Sequence, residues 1–186
     1  MSRARTIANF GDGLVTADLP ALTDAEMPAG SVLQVVDNIV TTPISANANH
    51  SSNGIVVLST AITPSSTSSL IMLSGSVNIG IQDGHAAVRI FRNNGSGDVA
   101  IAHATSTSNR VATWWSGEHS SLYTSFSIPI SFLDSPNTTS EVTYKVTISN
   151  WRATTIYSNR TVNDRDNTDG YDGRAVSTLN LMEIAG

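Results

Sequence analysis

The segment EVTYKVTIS, residues 141–149, decides the fold class of this chain. Apolar and polar side chains alternate along it, with Val142, Tyr144, Val146 and Ile148 set against Thr143, Lys145, Thr147 and Ser149. A period of two residues places the two sets on opposite faces of a β-strand. The segment therefore predicts a strand in a sheet that is buried on one face.

The same alternation recurs in two other segments. IMLSGSVNIGI, residues 71–81, places Ile71, Leu73, Val77, Ile79 and Ile81 on one face, and LYTSFSIPISF, residues 122–132, turns Phe126, Ile128, Ile130 and Phe132 inward. Pro129 lies on the opposite side, and a residue without an N–H predicts an edge strand or a bulge there. Further strands are predicted at 32–40, 55–62, 86–92, 98–104, 110–115, 153–158 and 175–184.

Turn-forming sequences separate these strands at 63–69, 93–98 and 134–140. About ten short strands at this spacing, without a helix-length periodic segment, predict an antiparallel β-sandwich of jelly-roll-like type over residues 31–186. Residues 1–30 differ, because glycines and prolines interrupt every period there. They predict an extended N-terminal arm with at most one helical turn, where Thr23 and Glu26 fit a capping box.

Composition excludes several classes of partner and site. The net charge is -5 and Lys145 is the single lysine, so the clustered cations that bind nucleic acid are missing. There is no cysteine for a disulfide or a thiolate metal site. No apolar run reaches ~18 residues, so no membrane-spanning helix is expected. The first ten residues lack the apolar region of a secretory signal.

The segment VNDRDNTDGYDGRAV, residues 162–176, contains four aspartates: Asp164, Asp166, Asp169 and Asp172. It does not fit an EF-hand loop, because the glycine comes one position late and Ala175 stands where the bidentate glutamate belongs. The interpretation we favour is a connecting loop whose Asp and Asn side chains satisfy their own backbone, without a metal. An irregular calcium site is the alternative.

No motif predicts catalysis. The four histidines, His50, His85, His103 and His119, lack zinc spacing. Neither a nucleophile elbow nor a phosphate-binding glycine loop occurs. We therefore predict no enzymatic activity, no catalytic residue and no cofactor. Trp114 and Trp115 are adjacent, so in a strand they face opposite sides. They either present an aromatic platform to a sugar or another subunit, or fill a core or subunit seam.

Four further segments are informative together: PAGSVLQVVDNIVTT (28–42), AITPSSTSSLIMLSGSV (61–77), FLDSPNTTSEVTYKVTISN (132–150) and GYDGRAVSTLNLMEIAG (170–186). They resemble small β domains in virion proteins of tailed bacteriophages, known from phages of marine bacteria and cyanobacteria. The resemblance covers most of 28–186, except roughly 82–120. It implies a trimeric β-sandwich virion protein without catalytic residues, in which the aspartate segment is a variable connection before the last strand.

Two functions follow as expectations. The first is a homotrimeric capsid decoration (cement) protein, whose arm binds the major capsid protein or another virion protein through Ile7, Phe10, Leu14, Leu19 and Leu22. The alternative is a short tail-fibre or head-fibre tip that binds a host surface glycan through Trp114, Trp115 and the loops at 93–98 and 163–173. A depolymerase is disfavoured because no acid/base pair stands out. Neither nucleic acid nor a membrane is an expected partner.

Overall fold

A computed structural model describes residues 27–106, 108–168 and 170–186. These residues form strands, turns and irregular segments, and no helix among them has the length and hydropathy needed to cross a membrane. The strands are β1 (Val32–Val36), β2 (Ile39–Val40), β3 (Ile44–Asn47), β4 (Ile55–Ile62), β5 (Leu70–Gly80), β6 (His85–Asn93), β7 (Asp98–Ile101), β8 (Trp115–Glu118), β9 (Phe126–Asp134), β10 (Val142–Asn150), β11 (Thr155–Ser158) and β12 (Ser177–Ile184).

The strands form two antiparallel sheets. In the first, sheet A, β12 lies between β1 and β5, and β9 pairs with the other side of β5. β2 pairs with β12 next to the segment of β12 that pairs with β1. β11 pairs with the last residues of β5 on one side and with β3 on the other. In the second, sheet B, the order is β4, β10, β6, with β7 and β8 sharing the far side of β6. The orders β1-β12-β5-β9 and β4-β10-β6-β7 are those of a jelly roll.

The predicted antiparallel β-sandwich is confirmed, because the inward sets of the alternating segments form its core. The fully buried side chains include Leu73 and Ile79 of β5 and Tyr144 and Ile148 of β10. Phe126 and Phe132 at the ends of β9 are partly buried and pack against this core. Among the described strands β9 pairs only with β5, so Pro129 does lie in an edge strand, where a residue without an N–H is tolerated.

Gly75 shows why β12 can lie so close to β5. Its φ is +152°, and a side-chain carbon added there would lie 2.1 Å from the carbonyl oxygen of Thr178 on β12. Only a glycine permits this approach without moving a strand.

Two parts of the strand prediction are wrong in detail. β3, a four-residue strand of mixed polarity, was not predicted because it is too short to show a period. The strand predicted at 110–115 lies instead at β8, Trp115–Glu118. Just before it, the backbone N–H of Trp114 donates to the carbonyl of Val88 on β6 (2.9 Å). Local alternation does not specify where pairing begins when turns flank a short strand.

Candidate interaction surfaces

The outer face of sheet A carries a contiguous apolar patch at one end of the sheet. Cross-strand pairing aligns Val35, Met182, Met72 and Leu133 in one row that crosses β1, β12, β5 and β9. The neighbouring row holds Val32, Ile184 and Leu70. We call these seven residues the apolar patch. The three at its margins, Val32, Val35 and Leu133, are 51%, 59% and 49% exposed, and the other four are partly exposed.

The residues behind the patch, on the inner face, are unexpectedly polar. Gln34, Glu183, Ile71 and Asp134 form the corresponding inward row. Glu183 is fully buried and Asp134 nearly so. They are the only two charged residues in the strands of sheet A, so its outer face carries no charge in any strand. At this end of the sheet the usual order of apolar inside and polar outside is reversed.

Asp134 is held by a cation and a phenol from sheet B. Its carboxylate accepts hydrogen bonds from Nη1 of Arg92 (2.9 and 3.0 Å) and from the hydroxyl of Tyr144 (2.7 Å). Burial, followed by the hydrogen bond to Asp134, raises the pKa of Tyr144, so the phenol remains a proton donor. These contacts join β9 of sheet A to β6 and β10 of sheet B.

Glu183 is held by neutral donors. One carboxylate oxygen accepts from the backbone N–H and the hydroxyl of Ser65 (both 2.7 Å), and the other accepts from Nε2 of Gln34 (2.6 Å). Burial raises the pKa of Glu183, but the nearby Ser69 hydroxyl and the hydrogen bonds from Gln34 and Ser65 outweigh burial and lower it overall. The 63–69 turn thus caps a buried carboxylate that forms no ion pair with any described residue.

The aspartate loop, residues 163–173, uses its carboxylates to bind arginines. Asp172 is buried and accepts from Nε of Arg165 and from the hydroxyl of Thr161 (both 2.7 Å). Asp164 accepts from Nε and Nη2 of Arg174 (2.9 and 2.8 Å). The hydrogen bond from Arg174 lowers the pKa of Asp164. Asp169 lies outside the described residues.

These pairs make the loop an ion-paired connection between strands. Arg165 also stacks on Tyr123, with its guanidinium carbon 4.7 Å from the ring centroid. Among the described residues, no three His, Asp or Glu side chains are grouped so that they could hold a metal ion. The carboxylates of Asp164 and Asp172 are matched by guanidinium groups, which are the counter-charges a cation would otherwise replace.

Trp114 and Trp115, the predicted ligand-binding pair, are both half-buried and pack against the core. The indole N–H of Trp114 donates to the carbonyl of Pro129 (2.9 Å), and Trp115 lies 5.4 Å from Phe126 between ring centroids. The exposed tryptophan is Trp151, which is 64% exposed in the turn after β10. The predicted arm contacts, Ile7, Phe10, Leu14, Leu19 and Leu22, and the capping box at Thr23 and Glu26 lie outside the described residues.

Trp151 borders a cleft of about 550 Å³ at one end of sheet B. Two histidines distant in sequence, His50 and His85, meet there, and the remaining lining residues are Val111, Thr113, Ser116 and Gly117. The sequence predicted no convergence of histidines, because 35 residues separate these two in the chain and they line one cleft only in the folded protein. His103 and His119 do not line this cleft.

Comparison with known proteins leaves the family of this chain unassigned. No family model matches it, and no curated protein does. Solved structures with a similar backbone include the VP2 subviral particle of infectious bursal disease virus (TM-score 0.41, 10% identity, 84% of this chain) and T=1 particles derived from that virus (TM-score 0.42, 11% identity, 90% of this chain). The matched regions span 34% and 41% of those chains. TM-scores below 0.5 do not establish a common fold.

Proposed function

We propose that this chain is a non-enzymatic structural protein of a tailed-bacteriophage virion, a homotrimeric capsid decoration (cement) protein anchored by its N-terminal arm. The observation that carries this proposal is the apolar patch on the uncharged outer face of sheet A. Contiguous apolar surface of this kind marks a contact with protein, because covering it removes apolar area from water. The trimer and the phage particle are proposed because four sequence segments resemble phage virion domains.

The size of this face suits a stable interface. Four strands at about 4.8 Å spacing and the 11 residues of β5 give an outer face of about 19 by 36 Å, or roughly 700 Å². A standard protein interface takes about 800 Å² from each partner. The apolar patch would form the dry centre of the contact, and the Ser, Thr and Asn side chains further along the sheet would form its polar rim.

The arm joins the body beside this face. The N–H of Gly30 donates to the carbonyl of Ala185 (2.7 Å), and the N–H of Ala185 donates to the carbonyl of Ser31 (2.8 Å). These bonds fix residues 30–31 at the end of β12, one residue before Val32 of the apolar patch. Three arms linked by a trimer would bind a particle with an avidity that no single arm has.

The first experiment measures self-association. The molar mass of the wild-type protein is determined by light scattering over a range of concentrations, beside Met72→Glu in the apolar patch and Thr143→Glu on the outer face of sheet B. We expect a trimer for the wild type and for Thr143→Glu. Met72→Glu should weaken association at least about 100-fold, because a carboxylate would be buried without a partner. A monomeric wild type, or equal masses for all three proteins, contradicts the proposed seam.

The second experiment locates the binding partner. Full-length protein and a variant lacking residues 1–26 are mixed with undecorated phage capsids and with purified tails, and co-sedimentation is measured. Binding to capsids by the full-length trimer alone supports the cement role and the arm. Capsid binding that survives removal of the arm contradicts anchoring by the arm. Binding to tails and not to capsids favours the alternative, a receptor-binding fibre tip.

A further inference from the structure

The cleft beside Trp151 has the chemistry of a small-molecule site, and it lies on sheet B, away from the apolar patch. Its walls combine one large exposed indole with a short aliphatic side chain, two imidazoles and two hydroxyls: Trp151, Val111, His50, His85, Thr113 and Ser116. Concave sites with one apolar surface and a few hydrogen-bonding groups are the usual form of ligand pockets.

The turn that carries Trp151 is held firmly in place. Asn150, fully buried, donates from its side chain to the carbonyl of Asp83 (2.8 Å) and to the hydroxyl of Thr154 (2.7 Å), and accepts from the N–H of Arg152 (3.1 Å). The N–H of Trp151 donates to the carbonyl of His85 (3.0 Å). The fold thus fixes the backbone of a large apolar side chain that it leaves in water.

Gly84 shows how closely this turn is fitted. Its φ is +97°, and a side-chain carbon there would lie 2.4 Å from Oδ1 of Asn150. A solvent-exposed salt bridge between Arg152 and Asp83 (3.2 Å) joins the same two turns. Because these contacts already order the backbone of the turn, a ligand that stacks on the indole does not have to order the turn.

The polar side chains of the cleft are imidazoles and hydroxyls. Nδ1 of His50 is 2.9 Å from the hydroxyl of Ser149, and burial, followed by nearby Arg89 and His85, lowers the pKa of His50, so that its imidazole is neutral at pH 7. His85 is exposed and faces Glu118 at 3.9 Å. Among the described residues that line the cleft there is no Lys, Arg, Asp or Glu. This disfavours phosphate-bearing ligands, which require cationic groups.

We propose that this cleft binds a neutral carbohydrate, with the indole of Trp151 as the stacking platform. A pyranose ring has an apolar face of C–H groups and a rim of hydroxyls, which matches an exposed indole bordered by imidazole and hydroxyl groups. Thr113, Ser116 and His85 supply the hydrogen bonds that orient the ring. The proposal is independent of the proposed capsid role, since cleft and apolar patch belong to different sheets.

The test uses the full-length protein and a panel of neutral oligosaccharides built from glucose, galactose, mannose, N-acetylglucosamine and N-acetylgalactosamine. Saturation-transfer NMR identifies bound sugars, and titration of indole fluorescence gives the affinity. We expect at least one oligosaccharide to bind. Trp151→Ala should weaken that binding at least tenfold, Trp151→Phe should restore part of it, and Thr113→Val should weaken it several-fold.

Tyr171→Ala is the matched control, because this aromatic residue is 62% exposed in the aspartate loop, away from the cleft. It should leave sugar binding unchanged. Thermal unfolding of each variant shows whether it is folded. Three results overturn the proposal: no sugar binds the folded wild type, Trp151→Ala binds as tightly as the wild type, or binding is lost in Trp114→Phe and retained in Trp151→Ala. The last result would place the site at the Trp114–Trp115 pair.

Discussion

The central rows and the end rows of sheet A differ in which of their two faces is apolar. In its central rows, Leu73, Leu181 and Ile130 point into the core, while Ser74, Asn180 and Ser131 point outward. In its end rows, the buried side chains include Glu183 and Asp134, and the outer ones form the apolar patch. A sheet that only had to be stable in water would repeat the central arrangement to its end. The reversal supports the proposal that another protein surface covers the outer end of the sheet.

The comparison also shows how two carboxylates can be buried in one row. Asp134 has a guanidinium partner, whereas the donors to Glu183 among the described residues are neutral. Removal of one member of a buried charged pair leaves the other uncompensated, and this costs more than the pair itself contributes. Substitutions in the end rows therefore test whether these carboxylates hold the two sheets together.

Among the substitutions in the end rows, the largest effect on stability is expected for Asp134→Ala. This change leaves Arg92 without its carboxylate and Tyr144 without an acceptor, so the free energy of unfolding should fall by about 2 to 4 kcal/mol. Denaturation by urea measures it. Leu181→Ala in the central rows should cost a comparable amount, about 2 to 5 kcal/mol, through a cavity. If Asp134→Ala costs less than about 1 kcal/mol, the carboxylate does not brace the sheets.

A smaller, pH-dependent effect is expected for Glu183→Gln. At pH 7 the change should cost about 1 to 2 kcal/mol, because the new amide turns a donor toward Gln34, itself a donor. The folded-state pKa of Glu183 is lowered, so its contribution is present above the pKa of the unfolded chain and is lost as pH falls through the folded value.

Urea denaturation of wild type and Glu183→Gln between pH 7 and pH 3 checks this. The gap in stability between the two proteins should narrow as pH falls below the pKa of a glutamate in the unfolded chain, about 4.3, because the unfolded chain then binds a proton that the folded carboxylate does not yet bind. Glu141→Gln, at an exposed position before β10, is the matched control and should show no such change. A gap that stays constant with pH would show that Glu183 has the same pKa in both states.

The smallest effect is expected for Met72→Ala in the monomer. Met72 and Leu73 are adjacent, but Met72 faces outward in the apolar patch and Leu73 is fully buried. At concentrations below self-association, Met72→Ala should change the free energy of unfolding by less than about 1 kcal/mol, whereas Leu73→Ala should cost about 2 to 5 kcal/mol. A large loss for Met72→Ala in the monomer would make the patch part of the fold and not a contact surface.

Most of the fold was predictable because side-chain alternation is a local property of a strand. The predicted inner residues of 71–81 and 142–148 are buried, whereas two residues of the predicted outer faces, Asn78 and Thr147, are buried as well. The inward position of Glu183 follows from the same parity, since it continues the series Leu179, Leu181. The sequence therefore predicts that Glu183 faces inward. It does not predict the polar inner row, because no local pattern specifies that Gln34 and Asp134 lie in the same row as Glu183.

The candidate sites were less predictable. The cleft joins residues near positions 50, 85, 113 and 151, and only the closed sandwich brings these together. The exposure of Trp151 depends on a turn braced by Asn150 and Asp83, which are 67 residues apart. The arginine partners of the aspartate loop were visible in the sequence at 160, 165 and 174, although their pairing with Asp164 and Asp172 required the folded loop.

The position of β12 has a consequence for how the protein is made. β12 lies between β1 and β5, yet it follows every other described strand in the chain. During translation, the apolar strand β5 therefore has an unpaired edge until more than a hundred further residues have left the ribosome. Folding must be slow, because this closure joins distant parts of the chain. A nascent chain that stalls before β12 would expose a strand edge that invites aggregation.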